Sequence, residues 1–205
     1  MFPLGNVLVP HALLPLHLFE ERYRTMIRDV LDGDREFGVV LIERGHEVGG
    51  GDERGMLGTV AYVLEAEQFD DGRWAIVSAG THRLRVVEWL QDAPYPRAVV
   101  EELDDEKPGP DAHQLVEQVR RRLGRVLARA NELGDAVAPA TTEISEDPAV
   151  AGYHALALAP IGPYDTQRLL AIDSPEDLLA ALLGAFDDIE EELALRLSMD
   201  QGDTG

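Results

Sequence analysis

The sequence contains no cysteine, so it forms no disulfide, offers no thiol nucleophile and binds no metal through thiolate. Its only lysine, Lys107, lies in DEKPG and not in the G-x-x-x-x-G-K-[ST] pattern of a P-loop. No uncharged apolar run reaches the roughly 18 residues of a membrane-spanning helix, and the apolar start lacks the basic residues of a signal peptide. These absences exclude thiol chemistry and a Walker-type nucleotide site, and they predict a soluble, cytoplasmic protein.

The charge is strongly one-sided. The 205 residues carry 39 acidic and 18 basic side chains, a formal net charge of -21. The acidic excess runs through both halves of the chain and is not confined to a tail. Such a field repels phosphate backbones and anionic lipid, so it disfavours nucleic acid and membrane surfaces as partners.

The first hundred residues predict a β-rich unit with one helix. Apolar side chains at steps of three and four follow the sequence LPLHLF, and this helical pattern ends at Gly33. The sequence DDG at 70–72 is typical of a hairpin turn, and Gly80 predicts a bulge or bend within a strand. The glycine-rich, charged stretch 44–56 predicts a loop. Strands are predicted at 2–9, 37–43, 56–69 and 73–90, and after the prolines of PYPRAVVEEL.

Residues 104–111, DDEKPGPD, break the composition and predict a linker between β and α character. Only helices are predicted beyond it. Asp147 and Pro148 form one helix start, and SPED at 174–177 forms another, close to a capping box. The helices are predicted at 112–130, 148–159, 164–171 and from 175 to 198, with a disordered tail at 199–205.

His17 and Glu20 form the one H-x-x-E pair that suggests chemistry. A metal or acid–base site needs further ligands or partners, and the other five histidines are scattered without an HExxH motif. The alternative is a strand-to-helix junction, at which Glu20 and Glu21 are favoured by the helix dipole. We interpret the pair as such a junction and assign no catalytic residue, metal site or cofactor.

The one basic cluster is RRRLGRVLAR at 120–129. On a helix, Arg121, Arg122, Arg125 and Arg129 lie opposite the apolar stripe. This arrangement suits a solvated face paired with acids elsewhere in the protein. It also suits a surface for docking an acidic partner. The residues of the candidate docking surface are Arg121, Arg125 and Arg129.

Several stretches together resemble the N-terminal substrate-binding domain of the Lon protease family. The opening FPLGNVLVPHALLPLHLFEERYRTMIRDVL is similar to the start of that domain. The G-T-V strand, the D-G hairpin, the G-x-x-R strand and the strand after a proline are similar to its core. DPAVAGYHALALAP, the QRLLAID step and SPEDLLAALLGAFDDIEEEL are similar to its helical part. The resemblance covers essentially residues 1–198.

The resemblance implies an α+β fold, with a PUA-like pseudo-β-barrel at 1–103 that contains one helix and an α-helical bundle at 112–198. It also implies that the first subdomain recognises a substrate or partner. The family's ATPase and protease elements are missing from this sequence, so we expect a stand-alone Lon-domain protein. What a detached module of this kind does is not implied by the family.

We therefore hypothesise a non-enzymatic module that binds unfolded polypeptide or a protein partner. The opening carries many apolar residues, and its prolines limit strand pairing, which favours a groove or an open sheet edge. Any one of these apolar residues could instead close the core. The candidate binding residues are Leu4, Val9, Leu13, Leu16, His17, Phe19 and Tyr23.

Two alternatives stay open from the sequence. One is a small-molecule-binding or hydrolytic enzyme on the same barrel, which requires a concave pocket with converging titratable groups. The other is an adaptor that docks on a separate protease or ATPase through the arginines of 121–129 and presents cargo. The residues of the enzyme alternative are His11, His17 and Glu20, or His82 and Arg83.

Overall fold

The computed structural model describes residues 1–44 and 53–202, with the side chains of 1–44 and 53–199. The chain forms two compact units, Met1–Asp104 and Asp105–Gly205. The first is a six-stranded sheet with one helix, and the second contains the other helices of the described chain. The fold is therefore α+β, as the sequence predicts.

In the first unit, one long strand organises the sheet. This strand, β5, pairs with β4 on one side along most of its length. On its other side it pairs first with β2 and then with β6. The sheet order is β1-β3-β4-β5-β2, in which β1 and β3 are parallel. The bounds are β1 Phe2–Leu4, β2 Leu13–Leu18, α1 Glu21–Asp32, β3 Glu36–Arg44, β4 Glu53–Gln68, β5 Trp74–Leu90 and β6 Arg97–Leu103.

The core of the first unit lies between the inner face of this sheet and α1. Helix α1 buries Tyr23, Met26 and Ile27, which follow helical spacing. Strand β2 alternates exposed with covered side chains, as expected for a strand with one face on a core. The buried core residues are Phe2, Leu8, Leu18, Tyr23, Met26, Ile27, Phe37, Val39, Ala61, Val63 and Ile76.

Gly80 lies where another segment of backbone crosses β5. Its N–H donates to the carbonyl of Ala12, and its own carbonyl accepts from the His11 N–H, both at 2.9 Å. The β4–β5 register shifts between Thr59 and Ala61, which leaves an extra residue on β5 next to Gly80. The predicted bulge at this glycine is confirmed, and a glycine allows the close approach because it has no Cβ.

The second unit is built around its last helix. Helix α5 packs against α2, α3 and α4. The side chain of Asp147 accepts from the Ala149 N–H, and the Ser174 hydroxyl accepts from the Asp177 N–H, so both predicted helix starts are confirmed. None of the helices in the described chain is long and apolar enough to cross a membrane. The bounds are α2 Ala112–Glu132, α3 Pro148–Leu158, α4 Pro163–Leu170 and α5 Pro175–Gly202.

Three predicted boundaries are wrong. The strand predicted at 2–9 ends at Leu4, because the chain bends at Gly5 and Asn6, where the Val7 N–H donates to the Asn6 side chain. The tail predicted to be disordered from residue 199 is instead helical as far as Gly202, since no glycine or proline occurs between Gly184 and that residue. Arg44 of the predicted loop belongs to β3, and residues 53–56 belong to β4. The rest of that loop, 45–52, and residues 203–205 lie outside the described residues.

Candidate functional site

The outer face of the sheet at β2, β5 and the end of β4 is exposed and partly apolar. On β2, Leu13, Pro15 and His17 point away from the core, and Leu13 is 67% exposed. The register places these three residues opposite Ala79, Val77 and Ala75 of β5. The small β5 side chains form a shallow floor beside the larger ones of β2.

A cavity of about 500 Å³ lies over this floor. The glutamates Glu65 and Glu67 of β4 pair with Val77 and Ala75 of β5, so they stand on the far side of the floor from β2. We call this cavity the trough. It has one apolar wall and one acidic wall. It is lined by Pro15, Leu16, His17, Glu65, Ala66, Glu67, Ala75, Ile76 and Val77.

A β-bulge decides which β4 side chains line the trough. Val63 pairs with Ser78, and Glu65 pairs with the very next β5 residue, Val77, so Leu64 is an extra residue on β4. Side chains alternate between faces along a strand. The extra residue therefore turns Glu65 and Glu67 to the outer face and Ala66 to the core.

A second cavity, of about 320 Å³, adjoins the trough at His17. We call it the aromatic cleft, because Phe19, Phe69 and Trp74 line it together with His17, Leu18 and Arg73. Phe19 is 57% exposed. Such exposed aromatic side chains around a concave surface are typical of a binding site.

Arg73 brings little net positive charge to the aromatic cleft. Its guanidinium Nε lies 2.7 Å from Asp71 Oδ2, and its backbone N–H donates to Oδ1 of the same carboxylate. The bond from this backbone N–H, and the nearby guanidinium, hold the pKa of Asp71 below its usual value. Asp71 thus stays ionised at neutral pH and offsets the charge of Arg73.

Strand β2 has a neighbour on one side only among the described residues. In an antiparallel pair, residues whose backbone groups bond to the neighbouring strand alternate with residues whose backbone groups point away from it. The bond from the Gly80 N–H to the Ala12 carbonyl places Ala12 among the residues that bond to β5. It follows that the backbone groups of Leu13, Pro15 and His17 point away from β5. Proline has no N–H to donate, and its place in the middle of this open edge discourages the addition of another strand. β2 pairs with β5 along its whole length. The prediction that the prolines limit strand pairing here is therefore wrong.

The candidate binding residues predicted from sequence divide into three groups. His17 and Phe19 line the aromatic cleft, and Leu13 is exposed on the same face of β2 as Pro15 and His17. Leu4 and Leu16 are half-buried and pack against the core, although Leu16 also borders the trough. Val9 and Tyr23 are only 2% and 5% exposed. Those two are wrong as surface residues, because their apolar parts are needed inside the core.

The residues of the enzyme alternative do not converge. His17 pairs with Ala75, and His82 lies seven residues further along β5, roughly 20 Å away at 3.3 Å per residue. Within the trough, His17 stands two strand spacings from Glu67, about 10 Å between their Cα atoms. A general base must lie within hydrogen-bond reach of the group it serves, so this spread does not favour hydrolysis.

The fold accounts for the positions of the other residues of the enzyme alternative. Glu20 precedes α1 and accepts from Arg22 Nε at 3.1 Å. Arg83 is buried, and His82 Nε2 lies 3.6 Å from a Glu102 oxygen. His11 is an exposed residue with a φ of 64° in the turn before β2. The position of Glu20, between the end of β2 and the start of α1, fits the interpretation of LPLHLFEERYR as a strand-to-helix junction.

The arginine face of α2 meets α5. Arg125 and Arg129 both lie within 4.0 Å of Glu190, and Arg122 contacts the same carboxylate and Asp187. Arg121 is exposed at the surface. Much of the predicted basic patch therefore neutralises acids of its own unit.

Residues 1–187 match the family described as the ATP-dependent protease La (LON) substrate-binding domain. The chain belongs to this family. The match covers most of both units, so the Lon substrate-binding domain accounts for the sheet and for the helices up to the middle of α5.

Curated relatives agree with this assignment. Lon protease 2 of Myxococcus xanthus is 30% identical over 148 residues, which are 71% of this chain and 18% of that protein. The LON peptidase N-terminal domain and RING finger protein C14F5.10c of Schizosaccharomyces pombe is 22% identical, over 88% of this chain and 44% of that protein. The chain spans less than half the length of either relative.

Solved structures agree on the fold. A Lon N-terminal domain protein from Xanthomonas campestris has a TM-score of 0.64 at 26% identity, over 89% of this chain and 95% of that one. The N-terminal domain of a Mycobacterium avium complex Lon protease gives the same TM-score at 16% identity, over 91% and 97%. The second likeness speaks for the fold alone.

Sequence reasoning missed the floor and the acidic wall of this Lon substrate-binding domain. Ala75 and Val77 carry no chemistry of their own, and Glu65 and Glu67 are two of 39 acids. Their importance comes from the register of β5 with β4 on one side and with β2, which is distant in sequence, on the other. One signal was present: small residues alternate with larger or polar ones in WAIVSAG, which indicates a shallow face on β5.

Proposed function

We propose that the trough and the aromatic cleft bind extended polypeptide segments that carry exposed apolar side chains. The observation that carries the proposal is the wall of exposed apolar side chains, Leu13, Pro15 and Phe19, beside a floor of small β5 residues. A floor of this kind lets ligand side chains approach the sheet closely. A folded or unfolded partner would contribute an extended segment, and the binding energy would come mainly from buried apolar surface.

The family assignment supports a substrate-binding module, and this proposal specifies its ligand. One curated relative carries, by its name, a LON peptidase N-terminal domain together with a RING finger. The domain thus occurs together with different other domains in different proteins. A recognition role that does not depend on any one enzymatic domain is consistent with that occurrence.

Polar substitutions on the apolar wall should weaken peptide binding. We expect Leu13→Ser with Phe19→Ser to raise the Kd of an apolar-rich unstructured peptide by about tenfold or more, because two exposed apolar contacts are lost. Fluorescence anisotropy of a labelled peptide, titrated with the purified chain, measures this change. Both side chains are exposed, so the fold should persist.

A matched control is Val87→Ser with Val99→Ser, which removes two exposed apolar side chains from the β5 and β6 region away from the trough. This pair should leave the Kd within about twofold of the wild type. Equal losses in both double variants would mean that peptides do not bind at the apolar wall. Absence of binding to every peptide of a diverse panel would refute the proposed function.

An adaptor role, in which the domain presents cargo to a separate protease or ATPase, is a finer proposal. It would use Arg121, Arg125 and Arg129 of α2. The test concentrates on Arg121, because Arg125 and Arg129 both form ion pairs with Glu190 of their own unit. Arg121→Gln should reduce retention of a purified Lon protease on the immobilised chain, while Arg168→Gln, another exposed arginine, should not. If both variants retained the protease equally, the proposed adaptor surface at Arg121 would be refuted.

A further inference from the structure

The two walls of the trough differ in charge, and this difference has no explanation within the fold. Glu65 and Glu67 are exposed on the β4 side, and neither has an ion-pair partner among the described residues. Some exposed acids elsewhere on the same sheet do have partners: Glu101 pairs with Arg85 at 2.6 Å, for example. The acidic wall therefore has unneutralised charge that faces a cavity with an apolar floor.

The spacing of the two glutamates matches that of an extended ligand. They lie two residues apart on one face of β4, about 6.6 Å along the strand. Alternate side chains of an extended peptide that lies along the trough have the same spacing. Basic side chains at every second position can therefore meet Glu65 and Glu67 at once.

The aromatic cleft gives such a ligand a starting point. It lies next to the Trp74 end of β5, and Glu67 and then Glu65 follow in the direction of Val77. Its volume of about 320 Å³ has room for one large apolar side chain. The order along the groove is thus an apolar anchor site followed by two negative positions.

The ligand lies over the sheet face and does not extend the sheet at its edge. A strand added beside β2 would be three strand spacings from β4, about 14 Å from the glutamates. Pro15 also removes a donor from the centre of that edge. Only a segment above the floor can touch the apolar and the acidic wall together.

We propose that the trough selects extended polypeptide segments in which a large apolar residue is followed by lysine or arginine about two and four positions later. This selectivity rests on the proposed function and names the class of segment that the same site prefers. The apolar residue enters the aromatic cleft, and the basic side chains pair with Glu67 and Glu65. The rest of the acidic surface adds long-range attraction, which is not specific to the trough.

The test uses three labelled unstructured peptides with one phenylalanine anchor and with lysine, glutamine or glutamate at the two following sites. At low salt the wild-type chain should bind the lysine peptide roughly five- to tenfold more tightly than the glutamine peptide, and the glutamate peptide most weakly. The preference should shrink near 0.5 M salt (about 4 Å of screening length). Glu65→Gln with Glu67→Gln should remove most of the preference, leaving only the part due to the general negative field, and should leave binding of the glutamine peptide nearly unchanged.

The control separates the trough from the general negative field. Glu88→Gln with Glu143→Gln removes the same total charge from exposed positions outside the trough and should keep the preference. An equal loss of preference in both double variants would overturn the proposal in favour of the general field. Binding of the glutamine peptide without any lysine preference would overturn it while the proposed function stands. Failure of all three peptides to bind would overturn both.

Discussion

Replacing Gly80 with alanine should lower the free energy of unfolding of the β-rich unit by about 3 kcal/mol. An alanine Cβ at this position would overlap the carbonyl oxygen of Val9 and lie 3.1 Å from its carbonyl carbon. Backbone atoms cannot turn away as the end of a side chain can. The crossing segment would have to move, and this would strain the two bonds that join Gly80 to His11 and Ala12.

Tryptophan fluorescence during urea unfolding measures this effect in the right unit, because both tryptophans, Trp74 and Trp89, lie on β5. The control is Gly184→Ala in α5, where an added Cβ meets no atom within 4 Å. That change should stabilise the helix by up to about 1 kcal/mol. An unchanged fluorescence midpoint in Gly80→Ala would contradict the close approach at this glycine.

Truncating Phe186 should have the largest effect in the helical unit. Its side chain is fully buried on α5, and Phe186→Ala should cost about 3–5 kcal/mol through lost burial and the cavity left behind. Thermal unfolding followed by circular dichroism at the helical band should show the loss. This signal reports chiefly on the second unit, which contains α2 to α5.

The comparison variant for this truncation lies in the same helix. Leu195 is 64% exposed, so Leu195→Ala should change stability by less than about 0.5 kcal/mol. A loss from Phe186→Ala as small as that from Leu195→Ala would show that Phe186 is not part of a packed core. The pair also tests the orientation of α5, because a rotated helix would exchange the two effects.

Local chemistry in the sequence was enough to predict most of the elements. Some residues determine the start or end of an element through contacts with chain neighbours only, and the structure contains each of these boundaries. They are Gly33, the DDG turn, Asp147 and Ser174. The tail at 199–202 shows the limit of such reasoning. Its polar composition suggested disorder, but nothing in it ends a helix before Gly202.

The candidate site could be predicted only in part. The alternation of LLPLHL already separates Leu13 and His17 from Leu14 and Leu16, so the exposed wall could be read from β2 alone. The opposite wall could not, because it depends on a one-residue bulge at Leu64 and on pairing across more than 40 residues of chain. Val9 and Tyr23 failed as surface residues for a related reason: the sequence does not show whether an apolar side chain lines the surface or closes the core.

The bulge at Leu64 also bears on how relatives of this domain should be compared. A relative that lacks the extra residue would lose the bulge, but the residues aligned with Glu65 and Glu67 would keep their β5 partners and stay on the outer face. A relative that keeps the residue but pairs it opposite the counterpart of Val77 would change the face of every side chain from there to the turn. Its trough would present the counterparts of Leu64 and Ala66, so relatives with superimposable folds should be compared by their β4–β5 pairing and not by residue identity alone.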